Sequence, residues 1–473
     1  MLEIILDFFA KYSSAEIVII VFIFGGWLFL FYLLFFASLH LLAEYKSDKW
    51  KKDWKYVLLA IDIPPLNVQT PKAVEQFFSH IYSVLETPSI GTKYRRGFEP
   101  YKFSLEIISI EGYIQFLIRT LDKYQDVVEA AIYAQYPDSD ITEVEDYTES
   151  APEKFPNEEY DMWGADFNLT EHYAFPIRMY SEFEHNISKD TVLKDPIGTF
   201  LESFSRIGSG EQMWYQIIIE PAEGAAWKKE CIKKIKELIG EDVKHKPGMF
   251  SWVFDNPITK EIGKSFEEMG AQMTGGIRAE DTGSKSSDDG SPNQLQYLTP
   301  GQKKLVEAME DKIGKIGFKT KIRAIYLATK VSFKPSNGVN SLIGAINQFN
   351  IPTSNSLAPN YVTSAEYFNA TERAEHRKRQ LMKAFRKRKT STGKKADVLN
   401  IEELATIWHF PMSHVATPNV QSATLKTSEP PSGLPMEFVN LPVEEIVENE
   451  SAKKKRYQTD SGDTAYGDDM NFG

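Results

Sequence analysis

The sequence predicts an α+β protein in which an N-terminal transmembrane helix is followed by two ferredoxin-like (split βαβ) modules, a basic helix, a docking strap and a disordered tail. Three observations carry that prediction. Residues 17–43 form a run of 27 without Asp, Glu, Lys or Arg. Apolar strand patterns alternate with amphipathic helix patterns from Lys55 to Phe349. With 42% hydrophobic and 25% charged residues over 473 positions, the chain has globular composition and more than one domain's worth of length.

The uncharged run exceeds the ~20 helical residues that a bilayer core requires, and Glu3, Asp7 and Glu16 ahead of it are unlike the basic start of a cleaved leader. Lys46, Lys49, Lys51, Lys52 and Lys55 follow it, against Lys11 before it. The positive-inside rule then places the C-terminal side in the cytoplasm, as a single-pass protein of the inner cell membrane with the lipid bilayer as a partner.

Past the run, Lys55–Ile63 reads as a strand closed by Pro64 and Pro65. Thr70 and Pro71 then open a helix whose Val74, Phe77, Phe78, Ile81 and Leu85 recur at helical spacing. Lys102–Ile110 and Tyr113–Thr120 read as a hairpin turning at Glu111-Gly112, because Gly supplies positive φ. A helix over 124–135 and a strand over 141–147 complete the order βαββαβ. Asp138–Asp161 carries ten acidic residues and one lysine and reads as a solvated edge and linker.

The second module takes Tyr173–Phe183 as its first strand, then a helix over 195–206, a strand over 213–220 and a helix over 225–239. The polar stretch 279–293 interrupts it. A helix over 300–316, a strand over 319–333 and a helix over 339–349 resume the pattern. The resulting boundaries are 1–16 for a short leading segment, 17–43 for the span and 44–150 for the first module. The second module occupies 151–352 with its insertion near 279–298; 353–435 holds the basic helix and a linker-like segment, and 436–473 an acidic tail.

Catalytic patterns are sparse, and the chain reads as non-enzymatic, without cofactor or metal. Gly263-Lys264-Ser265 and Gly393-Lys394-Lys395 lack the upstream glycine of a phosphate-cradling loop. The single cysteine, Cys231, excludes an intrachain disulfide and multi-cysteine metal sites. The net charge of −12 hides blocks of opposite sign. Residues 373–395 contain eleven Lys or Arg and one Glu. Arg373, Arg377, Lys378, Arg379, Lys383, Arg386, Lys387, Arg388 and Lys389 are the candidate polyanion-binding residues, toward anionic lipid or DNA. A narrow apolar stripe of Leu381, Met382 and Phe385 suits the headgroup region of a lipid surface.

Asp397–Pro435 contains Glu402, Glu403, Leu404, Ala405, Thr406, Trp408, His409 and Pro411, then Thr417 and Pro418, then Pro430, Pro431, Leu434 and Pro435. This pattern (E-E-L-A-T-x-W-H-x-P, V-x-T-P, P-P-x-x-L-P) resembles the segment that joins the membrane-proximal region to the motor in conjugative DNA-transfer ATPases, the coupling proteins of type IV secretion-like systems. The resemblance spans roughly 15–435, with no motor after Pro435. It implies a motor-less accessory or scaffold protein that docks a separate ATPase or another secretion component. Read from the residues alone, Glu402 and Glu403 favour a helix start, Leu404 and Trp408 form an apolar face, and Pro411 ends the helix. Glu402, Glu403, Leu404, Trp408, His409 and Pro411 are therefore the candidate docking residues, packing either on a partner or on the chain's own sheet.

Overall fold

The computed structural model describes residues 16, 27–64, 67–84, 86, 97–185, 192–193, 195–240, 298–365 and 369–412. The described residues all belong to one compact unit within residues 1–424. The expected tail, the strap beyond Met412 and the expected insertion as far as residue 297 lie outside the described residues.

Helix α1 spans Trp27–Lys51. Its last two turns carry Glu44, Lys46, Asp48, Lys49 and Lys51, so the uncharged part of the described helix, 27–43, falls short of the ~20 residues of a bilayer span. Among the described residues no helix is long and apolar enough to cross a membrane. The expected transmembrane helix is corrected on this finding, and the single-pass inner-membrane location that rested on it goes with it. Residues 17–26 of the expected run are outside the described residues.

Strand β1 (Tyr56–Asp62), helix α2 (Pro71–Tyr82), strands β2 (Phe103–Ile110) and β3 (Tyr113–Leu121), helix α3 (Gln125–Tyr133) and strand β4 (Asp140–Val144) follow in order. Glu111 and Gly112 both have positive φ, 54° and 90°, as the tight turn between β2 and β3 requires. Next come β5 (Tyr160–Leu169), the short pair β6 (Glu184–His185) and β7 (Val192–Leu193), α4 (Pro196–Ser205), β8 (Glu211–Pro221) and α5 (Gly224–Ile239). After the undescribed stretch come α6 (Pro300–Gly314), β9 (Gly317–Thr329), α7 (Pro335–Asn347), β10 (Leu357–Val362), α8 (Ala370–Arg386), β11 (Asp397–Asn400) and α9 (Ile401–Ile407).

The strands form one nine-stranded sheet in the order β10-β5-β9-β8-β2-β3-β1-β4, with β11 also paired to β9. The expected fold class is corrected here too: the chain is mixed α+β with a single large antiparallel sheet, not two separate modules behind a membrane helix. Each half uses its strands in the same order, fourth, first, third, second, and the halves join where β2 runs antiparallel to β8 from Phe103↔Ile219 to Ile110↔Gln212. FSLEIISI and EQMWYQIIIEP are apolar-rich and buried on both faces over most of their length. As free edges they would invite aggregation, and pairing them removes both edges.

β5 and β10 were not expected. Asp161, Asp166 and Asn168 make β5 look like linker, yet Asp166 and Asn168 are buried against Arg323 and Asp397. The expected strand over 173–183 is instead irregular chain ending in a short 3-10 turn at Tyr180–Phe183, with Ile177 buried in the core. One sheet face carries α2, α3, α4, α7 and α9 over a core that includes Leu59, Phe116, Ile217 and Trp408. The other carries α8 over Leu58, Ile108, Trp214 and Ile325.

Because the halves share their central strands, the described unit is expected to unfold in one transition. Leu105→Ala, at a fully buried position of β2, should cost about 2–5 kcal/mol and lower a single midpoint seen alike by far-UV circular dichroism and tryptophan fluorescence. Two separate transitions, with only one moved by the substitution, would show independent halves.

Candidate polyanion interface

Helix α8 has two unlike faces. Leu381, Met382, Ala384 and Phe385 point inward at helical spacing and are buried. The Phe385 ring lies 5.4 Å from that of Trp214 on β8. Gly164 on β5 permits this close approach: a Cβ there would stand 2.5 Å from Leu381 Cδ2. The apolar stripe expected to enter lipid headgroups is thus already used inside the protein.

The sheet holds the end of α8 by charge. Arg323 on β9 donates Nη1 to the Ala384 carbonyl (3.1 Å) and Nε to Asp166 Oδ1 (2.7 Å). Gln216 on β8 donates to the Phe385 carbonyl (3.3 Å). Two carbonyls of the last helical turn, which also accept the Lys389 and Arg388 amides, thereby gain a second donor from the strands below. Lys321 pairs with Asp166 Oδ2 at 2.7 Å and donates to the Lys394 carbonyl at 2.8 Å. Burial pushes the Lys321 amine down, and the neighbouring Asp166 opposes that shift.

Beyond the helix, Arg388 takes left-handed backbone (φ 47°) and turns its side chain into the protein. Its Nε and Nη2 meet Glu106 Oε1 and Oε2 at 3.0 and 3.1 Å, and it also bonds Asp146. Ser104, Tyr147 and Gln216 donate to the same Glu106 carboxylate. Burial would raise Glu106 and Asp146, but the Arg388 guanidinium beside them holds both below the usual carboxylate range. Burial opposes the charge on Arg388 as well, and those carboxylates push it well above its ordinary value. Tyr147 is driven up by burial and by Glu106.

The nine expected polyanion residues therefore divide. Arg388 is buried; Arg377 donates to the Val362 and Ser364 carbonyls; Lys378 pairs with Asp161, and Arg386 with Glu153 at 3.3 Å. Arg373, Arg379, Lys383, Lys387 and Lys389 are exposed, and no ion pair joins them to any described residue. Helical spacing sets Arg379, Lys383 and Lys387 in a row along the outer face.

The expected docking residues are placed inside the protein. Glu403 closes a capping box with Asn400, accepts from the Ile177 amide and pairs with buried Lys312 at 2.8 Å. Glu402 pairs with Lys315. Leu404 is buried; Trp408 packs among Phe77, Phe116 and Phe410 at 6.2, 6.2 and 5.1 Å. His409 bridges the Ala405 carbonyl and Asp195, each at 2.7 Å. Burial would raise Asp195, while His409 beside it and the Met412 and Ile197 amides hold it low. Pro411, half-buried, accepts from Asn67 at 3.1 Å. Of the two packings left open for α9, the chain's own sheet is the one observed.

Sequence reading missed Glu106, Asp166, Lys321, Arg323 and Gln216. For Glu106, Lys321, Arg323 and Gln216 the signal was a charged or amide residue inside the strand runs SLEIISI, FKTKIRAIY and YQIII; Asp166, in the acid-rich β5, had none.

Arg388→Ala leaves buried Glu106 and half-buried Asp146 without their counter-charge and should destabilise the protein by about 3–5 kcal/mol, read from the urea midpoint. Adding Glu106→Gln should recover part of the loss; no recovery would mean that the pair is not what holds the α8 end. Glu106, Asp146 and Asp195 all titrate lower in the folded than in the unfolded chain, where carboxyls ionise near ~4. Their stabilisation is complete above that value and is lost as pH falls through the folded values. The urea midpoint should hold across neutral pH on their account and fall below about pH 4; constancy to about pH 3 would contradict this.

Compared with known families, residues 60–423, well over half of the chain, match the model described as a domain of unknown function (DUF8128). No curated protein matches the chain.

Proposed function

The chain belongs to the DUF8128 family, and from the outer face of α8 we propose that it is a non-catalytic binding module for the phosphate backbone of nucleic acid. The observation that carries this reading is the set of exposed cations, Arg373, Arg379 and Lys383 on α8 and Lys387 and Lys389 just beyond it, in a stretch whose other basic residues, Arg377, Lys378, Arg386 and Arg388, are tied into the protein. A cation with no protein partner keeps its full attraction for phosphate and releases counterions when it binds.

Lipid is disfavoured as the polyanion, because Leu381, Met382 and Phe385 are all buried. What α8 offers outward is charge on a rigid scaffold, which suits a backbone of regular phosphates better than a hydrocarbon boundary. The buried carboxylates near α8 are each closed on a basic partner, as structural pairs are. The resemblance of residues 402–411 to the linker of DNA-transfer ATPases supports a nucleic-acid setting. Within this proposal the chain is an accessory to a separate motor, contacting it through surfaces other than the buried α9 face.

The full chain is expected to bind a short DNA duplex at low salt, with log affinity falling by about 0.9 per log unit of salt for each phosphate neutralised. Changing Arg379, Lys383, Lys387 and Lys389 to Gln should weaken binding and flatten that slope while leaving the melting temperature unchanged. No binding by the wild type at low salt, or an equal slope in the variant, would refute the proposal. Binding to anionic vesicles without binding to DNA would assign the ridge to a lipid surface instead.

A further inference from the structure

Strand β5 runs further than its outer neighbour. β10 ends at Val362, opposite Ala165, so the first part of β5, Tyr160–Trp163, borders an open cleft instead of a strand. The cleft has a volume of about 580 Å³ and lies between this edge, the segment 330–335 and the first turns of α8. Tyr160, Trp163 and Phe333 give it an aromatic lining, and all three are half-buried. Phe333 has one face stacked on Tyr326, with centroids 5.6 Å apart and planes at 25°.

A sheet edge bordering a groove is the usual landing place for an added peptide strand, but this edge is closed to one. The Tyr160 amide donates to Asn157 Oδ1 at 2.9 Å, Met162 to Asp161 Oδ1 at 2.8 Å and Gly164 to Thr363 Oγ1 at 3.0 Å. With its outward amides already bonded to side chains, the edge cannot extend its ladder. Aromatic rings remain, with hydrogen-bonding groups from Ser364, Thr371 and Glu375 around them. Lys330 stands exposed at the cleft, with no ion pair to any described residue.

Flat rings, a few convergent polar groups and an uncompensated cation are the requirements of a nucleobase that carries a phosphate. α8 is common to both features: Thr371, Ala374, Glu375 and Lys378 line the cleft, and the cations farther along the helix form the ridge. We infer that the cleft receives an unstacked base from a strand whose phosphates run along α8, so that the protein prefers single-stranded to duplex nucleic acid. The inference rests on the reading of α8 as a phosphate interface. A duplex keeps its bases stacked on one another and gains only the ridge.

The test compares an oligothymidylate with a duplex of equal length, at one low salt concentration, using the full chain. The wild type should favour the single strand by about tenfold, the scale of one base–aromatic stack. Phe333→Leu, which keeps apolar bulk, and Lys330→Gln, at an exposed position, should each weaken single-strand binding and leave duplex binding unchanged. The ridge variant should weaken both ligands together. Equal wild-type affinity for the two ligands, or single-strand binding untouched in both cleft variants, would overturn the inference while leaving the ridge standing. Failure to bind either ligand would overturn both.

Discussion

Where β2 lies against β8, two apolar-rich strands that are buried on both faces lose their exposed backbone edges to each other. Each half of the chain would otherwise end on such a strand. Joining them turns two marginal surfaces into the middle of one sheet, and both faces of that sheet then need covering. The helices of both halves fill one face. The other is covered by α8, from late in the chain, which lies across Leu58 and Ile108 of the first half and Trp214 and Ile325 of the second.

Covering the second face with a basic helix creates an electrostatic problem. The helix ends over a sheet interior where water is excluded, and its terminal carbonyls and the cations just beyond it have to be satisfied there. Glu106, Asp166, Gln216, Lys321 and Arg323 rise from four neighbouring strands to do so. Removing a charge from water is expensive, and each charged member of this set has an oppositely charged partner at hydrogen-bonding distance. The outcome is selective: the basic residues facing the sheet become structural, and those facing away stay exposed. One stretch of sequence thus serves both as a core element and as a surface.

The same division explains how far function was legible. The concentration of positive charge in 373–395 is plain in the sequence, as is the amphipathic character of α8. Which cations are free is not, because Arg388 and Lys387 are adjacent and chemically alike. A left-handed turn at Arg388 sends its guanidinium to Glu106, 282 residues earlier in the chain. Trp408 and His409 likewise read equally well as a partner-facing surface until Phe77, Phe116 and Asp195 close around them. The cleft beside β5 had no signal of its own, since it exists only because β10 stops short of β5.

The sequence by itself determined the local order of the first half: the strand pattern of β1, the proline-opened α2, the hairpin turning at Glu111-Gly112 and the strand that returns as β4. Those features follow from backbone preference and short-range periodicity, which act within a few residues. It also determined the existence of strands β8 and β9, whose β-branched and aromatic residues mark them as strands. Tertiary structure decided the rest. It drew the acid-rich β5 into the sheet by supplying Arg323, Lys321 and Asp397 as partners, fused the halves through β2 and β8, and chose which face of α8 meets solvent. These outcomes depend on the desolvation of charges and on edges meeting across more than a hundred residues, and such energies have no value until the distant partner is in place.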